Sequence, residues 1–212
     1  SGFRSSSQIA TAMRLHHLIN HLLCQGIGAS RHFLSRMEEE EEKSKSSREF
    51  LRDVRVRGLS SRLKDMVEIH SKVGAVRRLV RERVRRDMES RVIVFANYRD
   101  TVEALEGALS DLEGIKAIQF IGQSSRSGSG GLTAKQQISR LAECREGGAN
   151  VLVATSVGEE GLDIPSADLV IFYEPVSSEI RTIQRRGRTG RRRQGEVVVL
   201  VAEGTRDEWA KD

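Results

Sequence analysis

Arg91-Val92-Ile93-Val94-Phe95-Ala96 is the stretch of sequence that decides the fold. It is a short, unbroken apolar run rich in β-branched residues, which is typical of a strand buried on both faces of a sheet. Before this run, the apolar residues recur at helical spacing, at Val73, Val76, Leu79, Val80 and Val84. They predict a long helix whose outer face is rich in arginine. A helix that leads into a buried strand indicates an α/β domain.

Strands and helices alternate through the rest of the chain. Further strands are predicted at residues 116–120, 151–154, 168–172 and 196–201. Apolar residues at helical spacing predict one helix through Val102, Leu105 and Leu109, another through Ala134, Ile138, Leu141 and Ala142, and a third over residues 178–186. Short apolar strands separated by helices predict a doubly covered, mainly parallel sheet.

The first 69 residues show no strand pattern. Helices are predicted over 8–24, where Gly26 offers a stop, from about residue 29 into the acidic run 38–42, and again over 50–69. The apolar stripe that predicts the first helix consists of Ile9, Met13, Leu15, Ile19, Leu22 and Leu23. We therefore expect an all-helical segment at 1–69 and an α/β domain at 70–212.

Composition limits the classes of protein that this chain can belong to. The 212 residues carry a formal net charge of +5; acidic residues gather at 38–42, whereas seven arginines cluster between residues 181 and 193, which favours a polyanionic partner. Cys24 and Cys144 lie far apart, so neither a disulfide framework nor a zinc site is predicted, and His17 and His21 lack a third ligand nearby. No run approaches the roughly 20 apolar residues of a membrane span. We expect a soluble intracellular protein, and the start at Ser1-Gly2 suggests an excised fragment with functional parts upstream.

The strongest functional signal is Gln184-Arg185-Arg186-Gly187-Arg188-Thr189-Gly190-Arg191. Seven arginines lie between residues 181 and 193, with no carboxylate among them. Planar guanidinium forks suit phosphate oxygens, and a domain that concentrates this much like charge usually meets an anion. The alternative is a solvated basic surface that only keeps the protein soluble.

Polar residues follow the first four predicted strands at the point where each strand ends. They are residues 97–100, 121–123, 155–165 and 173–175. Open parallel sheets bind ligands beyond the carboxyl ends of their strands. These segments are therefore predicted to converge on one functional edge.

Taken together, these segments resemble the second RecA-like domain of superfamily 2 helicases of the Hef and FANCM branch. Residues 92–100 resemble the fourth helicase motif, 151–165 the fifth, and 184–191 the sixth, whose pattern is Q-x-x-G-R-x-x-R. Residues 120–123, 173–175 and 204–208 extend the match, which covers about residues 70–208. Residues 8–69 resemble, less specifically, the later part of the helical insertion between the two RecA-like domains of this branch. His70-Ser71-Lys72 departs from the pattern, since proline tends to follow the histidine in related proteins.

The resemblance implies half of an ATP site. Arg188 and Arg191, three residues apart, would be arginine fingers that reach one γ-phosphate across a domain cleft. Gln184 would help position the γ-phosphate or the attacking water, and Gly187 would allow close packing at the cleft. Gly161 would let the nucleotide approach the backbone and Asp163 would bind a ribose hydroxyl, although an ordinary turn also explains these two residues.

Nucleic-acid contacts are implied at other positions of the same edge. They are Thr155, Ser156, Gly122, Gln123, Arg126, Tyr98 and Arg99. Hydroxyl and backbone N–H groups at a strand end can hold a phosphate without reading sequence. Tyr98 is equally explained as a packing residue. Arg185 and Arg186 are left unassigned, and Arg192 and Arg193 are expected to be electrostatic surface.

The chain contains no phosphate-binding lysine loop and no magnesium-binding acidic box, so ATP and Mg²⁺ would require an upstream RecA-like domain of the same protein. Residues 207–210 are interpreted as a C-terminal extension. The expected function is the second motor domain of an ATP-dependent DNA helicase or translocase that acts on forked or branched DNA and is inactive alone. It would work in the nucleus of a eukaryote or in the cytoplasm and nucleoid of a prokaryote. A motor of duplex-RNA sensing or RNA processing, and a non-catalytic nucleic-acid-binding module, remain as alternatives.

Overall fold

The computed structural model describes residues 2–122, 132–155, 166–175 and 195–209, with side chains from Ser6 onward. The chain divides into two compact units, Ser1–His70 and Ser71–Asp212. Each unit has its own apolar core. The two are therefore described separately.

The first unit is helical throughout its regular structure. Its elements are α1 (Gly2–Asn20), a π-helical turn (His21–Gln25), α2 (Ile27–Glu39), α3 (Lys45–Arg52) and α4 (Val54–Asp65). Gly26 separates the π-helical turn from α2, and its φ of 124° lies in the region that favours glycine. The core of the unit contains Leu18, Ile27, Leu34, Met37, Phe50, Val56 and Leu63.

The helix predicted over 8–24 forms, but most of its apolar stripe is exposed, and of the predicted residues Leu22 packs against the core. Ile9 is 61% exposed, and Met13 and Ile19 also lie on the outer face. The packed face of α1 instead carries buried Leu18 together with Arg14, whose guanidinium donates to Ser46 Oγ at 2.9 Å. α3 presents hydroxyl oxygens as well as apolar groups to α1. The face of α1 that packs on α3 is therefore more polar than the spacing of apolar residues predicts.

The helix predicted over residues 50–69 is divided and ends earlier. Asp53 separates α3 from α4, because its carboxylate accepts a hydrogen bond from Arg55 N at 2.8 Å and caps the new helix. Ser44 caps α3 in the same way, accepting from Ser47 N at 3.1 Å. The chain leaves helical structure after Asp65. Polar capping residues, which apolar spacing does not register, therefore set these boundaries.

The second unit is an α/β domain. Its elements in chain order are α5 (Ser71–Arg86), β1 (Val92–Phe95), α6 (Arg99–Leu109), β2 (Ala117–Phe120), α7 (Ala134–Arg145), β3 (Val151–Ala154), β4 (Leu169–Phe172), β5 (Glu196–Val199) and α8 (Arg206–Trp209). The strands form one sheet in the order β2-β3-β1-β4-β5, and all of these neighbours are parallel. The α/β fold predicted from the sequence is confirmed.

β1 lies at the centre of the sheet, which explains its unbroken apolar sequence. Val92 and Val94 point into a core shared with α5 and α6, whereas Ile93 and Phe95 point into a second core shared with α7. Every residue of β1 is buried. Helices therefore cover both faces of the sheet.

The face that α7 buries differs from the predicted one. The prediction grouped Ala134 and Ile138 with Leu141, but Ile138 is 65% exposed. The buried residues of α7 are Gln137, Leu141 and Cys144. A polar residue occupies a core position here, and an apolar residue lies in solvent.

Asp207, near the end of the described chain, belongs to the interior of this unit, whereas Trp209 is exposed. Asp207 in α8 is buried and pairs with Lys72 in α5, with 2.7 Å between Lys72 Nζ and Asp207 Oδ2. The interpretation of residues 207–210 as a C-terminal extension was therefore wrong for Asp207. The missing proline after His70 has no visible consequence for the helix, because α5 begins at Ser71.

Candidate functional site at the carboxyl edge of the sheet

The parallel register brings the carboxyl ends of the strands to one edge. Phe95, at the end of β1, lies opposite Ala154 of β3 and Phe172 of β4. Phe120, the last residue of β2, lies opposite Ala154. The residues that follow these strands therefore gather at one edge, as the sequence predicted.

Gly122 and Thr155 meet directly at this edge. The amide nitrogen of Gly122 donates to Thr155 Oγ1 at 3.2 Å, and the amide of Thr155 donates to the Phe120 carbonyl oxygen at 3.1 Å. A hydroxyl that accepts one hydrogen bond still has a hydrogen to donate. Thr155 can therefore present that hydrogen to an acceptor such as a phosphate oxygen.

Gln137 is a residue of this edge that the sequence prediction missed. Its Nε2 donates to the Ile121 carbonyl oxygen at 3.2 Å, and its side chain is buried. The available signal was a glutamine at helical spacing from Leu141 and Cys144. Such a residue must find hydrogen-bond partners inside the domain.

Tyr98 and Arg99 lie where α6 begins. The Tyr98 carbonyl oxygen accepts the amides of Thr101 and Val102, both at 3.1 Å, so the backbone of Tyr98 starts the helix. Arg99 Nε donates to Glu103 Oε1 at 2.9 Å, one turn along α6. Both side chains are half-buried, and the charge of Arg99 is partly balanced before any anion arrives.

The chain leaving β4 is fixed on two sides. The carbonyl oxygen of Tyr173 accepts from Lys72 Nζ at 2.8 Å, and this Nζ also lies 4.3 Å from the centroid of the Tyr173 ring. Glu174 Oε2 accepts from the amide of Asn97 at 3.0 Å, which links the ends of β4 and β1. The start of the segment that carries the arginine stretch is thereby anchored.

Most of the predicted site residues lie outside the described residues. They are Gln123, Arg126, Ser156, Gly161, Asp163, Gln184, Gly187, Arg188 and Arg191. The structure brings Gly122 and Thr155 together and places Tyr98 and Arg99 at the start of α6. The roles assigned to all these residues stay predictions.

The described side chains offer no obvious metal centre. Within the described ranges, no group of three or more His, Cys, Asp and Glu residues could hold a metal ion. His21 is buried against Phe33, with 5.0 Å between ring centroids, and its Nδ1 lies 2.9 Å from the His17 carbonyl oxygen. Both cysteines are buried, and burial raises the pKa of the Cys144 thiol. None of the described helices is long and apolar enough to cross a membrane.

Two family models match this chain in tandem. Residues 5–70 match the model described as "Putative ATP-dependent RNA helicase, helical bundle". Residues 71–193 match the model described as "Helicase conserved C-terminal domain". The boundary between the two matches falls where the structure separates its two units.

A solved structure, the Pyrococcus furiosus Hef helicase domain, is similar to this chain over both units. The TM-score is 0.67 and the sequences are 43% identical, with 96% of this chain and 42% of that chain covered. The chain belongs to the Hef and FANCM branch of the superfamily 2 helicases. Its α/β unit is accordingly a RecA-like helicase C-terminal domain.

Relatives of this helicase chain come from archaea and eukaryotes. "Putative ATP-dependent RNA helicase MJ1505" from Methanocaldococcus jannaschii is 42% identical over 198 residues, which are 93% of this chain and 25% of the relative. The mouse "Fanconi anemia group M protein homolog" is 48% identical over 55% of this chain and 6% of its own length. "ATP-dependent DNA helicase mph1" from Neurospora crassa is 45% identical over 56% of this chain and 10% of its own length. The helicase chain thus spans a quarter or less of these relatives.

Proposed function

We propose that this chain is the second motor domain, with part of the helical insertion, of an ATP-dependent DNA helicase or translocase that acts on forked or branched DNA. The observation that carries the proposal is the tandem arrangement of a helical bundle and a helicase C-terminal domain, which matches the Hef helicase domain over nearly the whole chain. A repair or replication-fork role, in the nucleus or in the prokaryotic nucleoid and cytoplasm, follows from the same branch. ATP would close two motor domains and hydrolysis would reopen them, stepping the bound strand.

The proposed ATP chemistry depends on an upstream RecA-like domain. At the carboxyl edge, the residues that the structure describes offer the Thr155 hydroxyl and backbone amides, which suit phosphate oxygens. The sequence contains no phosphate-binding lysine loop and no magnesium-binding acidic box. Mg²⁺ and most of the ATP contacts would therefore belong to the upstream domain. This chain would supply Arg188 and Arg191 as arginine fingers and Gln184 beside them, with Gly161, Asp163 and Gly187 at the nucleotide.

The anchored end of β4 supports this arrangement. Tyr173 is held by Lys72, and Glu174 is held by the amide of Asn97. An arginine finger stabilises transition-state charge only when its backbone is accurately placed. A fixed origin for the segment that carries Arg188 and Arg191 meets part of that requirement.

The strand contacts proposed at the same edge are Thr155, Ser156, Gly122, Gln123 and Arg126, with Tyr98 and Arg99 beside them. The hydrogen bond between Gly122 and Thr155 supports this role, because it orders a hydroxyl at the meeting point of two strand ends. Contacts of this kind bind the phosphate backbone without reading bases, as a translocating motor requires.

The helical unit is proposed to hold duplex phosphates. The exposed basic residues of α4 are Arg55, Arg57, Arg62 and Lys64. Cationic side chains on an exposed helix give sequence-independent affinity for DNA. The same surface would also suit an RNA duplex, so the helical unit alone does not decide between the two nucleic acids.

A test separates the proposal from both alternatives. In the full-length protein, Arg188→Ala is expected to lower kcat for ATP about a thousandfold or more, with forked-DNA affinity kept within about threefold. Arg193→Ala is the matched control, since it removes an arginine expected to be surface. If Arg188→Ala lost DNA affinity and kept ATP turnover, the chain would be a binding module.

Substrate choice is tested on the unaltered full-length protein. Its ATPase is expected to be stimulated more by forked DNA than by duplex RNA at equal phosphate concentration. Stronger stimulation by duplex RNA would favour the RNA alternative, which the name of the Methanocaldococcus relative also suggests.

A further inference from the structure

Gln137 and Thr155 hold the two ends of a single peptide group after β2. Gln137 Nε2 donates to the Ile121 carbonyl oxygen at 3.2 Å, and the Gly122 amide donates to Thr155 Oγ1 at 3.2 Å. That carbonyl and that amide belong to the same planar peptide bond, so they point in opposite directions. The side chains of Gln137, in α7, and Thr155, at the end of β3, therefore form hydrogen bonds to this peptide from opposite sides.

The position of Gln137 is costly unless the amide has partners. It is 1% exposed and shares its helix face with Leu141 and Cys144. A buried primary amide without hydrogen bonds would be destabilising, and an apolar residue would fill the same place at less cost. The contact with the Ile121 carbonyl gives the glutamine a role that leucine or methionine cannot take.

Other residues of α7 fix the position of Gln137 relative to the end of β2. Thr133 and Gln136 form a capping box that fixes the start of the helix. Arg140, at the next turn, donates to the Gln119 carbonyl oxygen at 2.8 Å. Gln137 and Arg140 of α7 thus donate hydrogen bonds to the carbonyl oxygens of Ile121 and Gln119, which lie two positions apart at the end of β2.

We propose that Gln137 is a positioning residue for the nucleic-acid strand contact at Gly122 and Thr155. By fixing the Ile121–Gly122 peptide, it aims the Gly122 amide at Thr155 Oγ1 and so leaves the hydroxyl hydrogen of Thr155 to be donated at the carboxyl edge. Gln137 itself is too deeply buried to touch a strand. The inference rests on the proposed function, because it takes a phosphate to be bound at this edge.

The test measures strand binding by the full-length protein with a fluorescein-labelled oligodeoxythymidine over a series of salt concentrations. Gln137→Met keeps the volume of the side chain and removes its donor. We expect the Kd to rise about five- to tenfold, the loss expected for one hydrogen bond. Because the Thr155 hydroxyl is uncharged, losing its contact changes no counterion release, so the Kd should rise by the same factor at each salt concentration and the slope of log K against log salt should stay that of wild type. The KM for ATP should stay within about twofold of wild type.

Three further variants make the result specific. Gln137→Asn shortens the side chain by one carbon, so its amide no longer reaches Ile121, and it carries the test if Gln137→Met does not fold. Thr155→Ala removes the hydroxyl and should weaken binding by a similar factor, again with the salt slope of wild type. Gln136→Met is the matched control, because it disrupts the capping box of the same helix and leaves the Ile121 contact in place. It should lower the melting temperature and bind the oligonucleotide as wild type does.

The outcomes distinguish this inference from the proposed function. If both Gln137 variants bind with the wild-type Kd while Thr155→Ala binds weakly, the positioning role is overturned and the strand contact stands. Equal weakening in Gln136→Met would overturn it too, because a loosened α7 would then be sufficient. If Thr155→Ala also binds like wild type, the strand contact is wrong and the inference fails with it.

Discussion

Lys72 Nζ lies 2.7 Å from Asp207 Oδ2, and the two residues, 135 positions apart in the chain, are 3% and 4% exposed. Lys72 lies in the first turn of α5, whereas Asp207 lies in α8. The same Nζ donates to the Tyr173 carbonyl oxygen, and the same Oδ2 accepts from the Ala202 amide at 3.1 Å. One buried ion pair therefore joins α5, α8 and the ends of β4 and β5.

Removing one partner of this pair should be strongly destabilising. Lys72→Met would leave the Asp207 carboxylate buried without its cation, which costs about 3–5 kcal/mol. Urea unfolding monitored by circular dichroism would measure the loss. Lys45→Met is the matched control, because Lys45 pairs with Glu49 at 4.0 Å on the surface and should contribute less than about 0.5 kcal/mol.

The double variant Lys72→Met with Asp207→Leu tests whether this cost comes from the buried carboxylate that has lost its cation or from independent losses at the two positions. If the penalty comes from the uncompensated carboxylate, the double variant should recover much of the lost stability. A double variant as unstable as the sum of the two single variants would contradict the assignment.

Gly26 is predicted to stabilise the helical unit, because its backbone angle is strained for other residues and a side chain there would displace the Glu68 carboxylate. Its φ is 124°, and a Cβ there would lie 2.5 Å from Glu68 Oε1. That carboxylate caps α2 by accepting from Ile27 N at 2.8 Å and Gly28 N at 3.2 Å. Gly26→Ala should therefore destabilise the protein by about 1–3 kcal/mol.

Gly58→Ala is also a glycine-to-alanine substitution, but it is expected to raise the stability of the protein. Gly58 lies within α4, and a Cβ there would meet nothing within 4 Å. Alanine should therefore stabilise the helix by about 0.5–1 kcal/mol. Thermal melting of the two variants should give shifts of opposite sign, and a gain of stability in Gly26→Ala would show that the described turn is wrong.

Asp53 is predicted to stay ionised at unusually low pH. The Arg55 side chain, followed by its backbone amide, lowers the pKa of the Asp53 carboxyl to about 2. A lowered pKa in the folded state stabilises the fold above the unfolded pKa of about 3.9, and this stabilisation is lost as pH falls toward 2. An NMR titration of the Asp53 carboxyl should show the low midpoint, and Arg55→Ala should move it upward. A wild-type midpoint near the ordinary value would contradict the contact.

The sheet was predictable from the sequence because burial on both faces leaves a simple signal. Val92, Ile93, Val94 and Phe95 are all apolar, since each of them points into one of the two cores. The convergence of the strand ends followed from parallel pairing alone. The order of the strands and the meeting of Gly122 with Thr155 required the three-dimensional structure.

Polar residues in the interior account for the wrong predictions about the packed faces of α1 and α7 and about Asp207. Apolar periodicity could not show that Arg14 would face α3, that Gln137 would be buried in α7, or that Asp207 would pair with Lys72. In each case hydrogen bonds between groups distant in sequence outweigh the cost of burying a polar side chain. Such partners are set by topology, so the sequence pattern near each residue does not contain them.

The proposal that this chain carries half of an ATP site predicts that it cannot turn over ATP alone. Arginine fingers stabilise the transition state of a nucleotide held elsewhere, so without an upstream RecA-like domain the site has no phosphate loop and no Mg²⁺ ligands. The 212-residue chain should therefore hydrolyse ATP at less than about a thousandth of the rate of the full-length protein, with forked DNA present in both assays. Binding of the same DNA to the isolated chain, measured by fluorescence anisotropy, shows that the chain is folded and competent. ATP turnover by the isolated chain at the rate of an intact motor would refute the proposed division of labour between two domains.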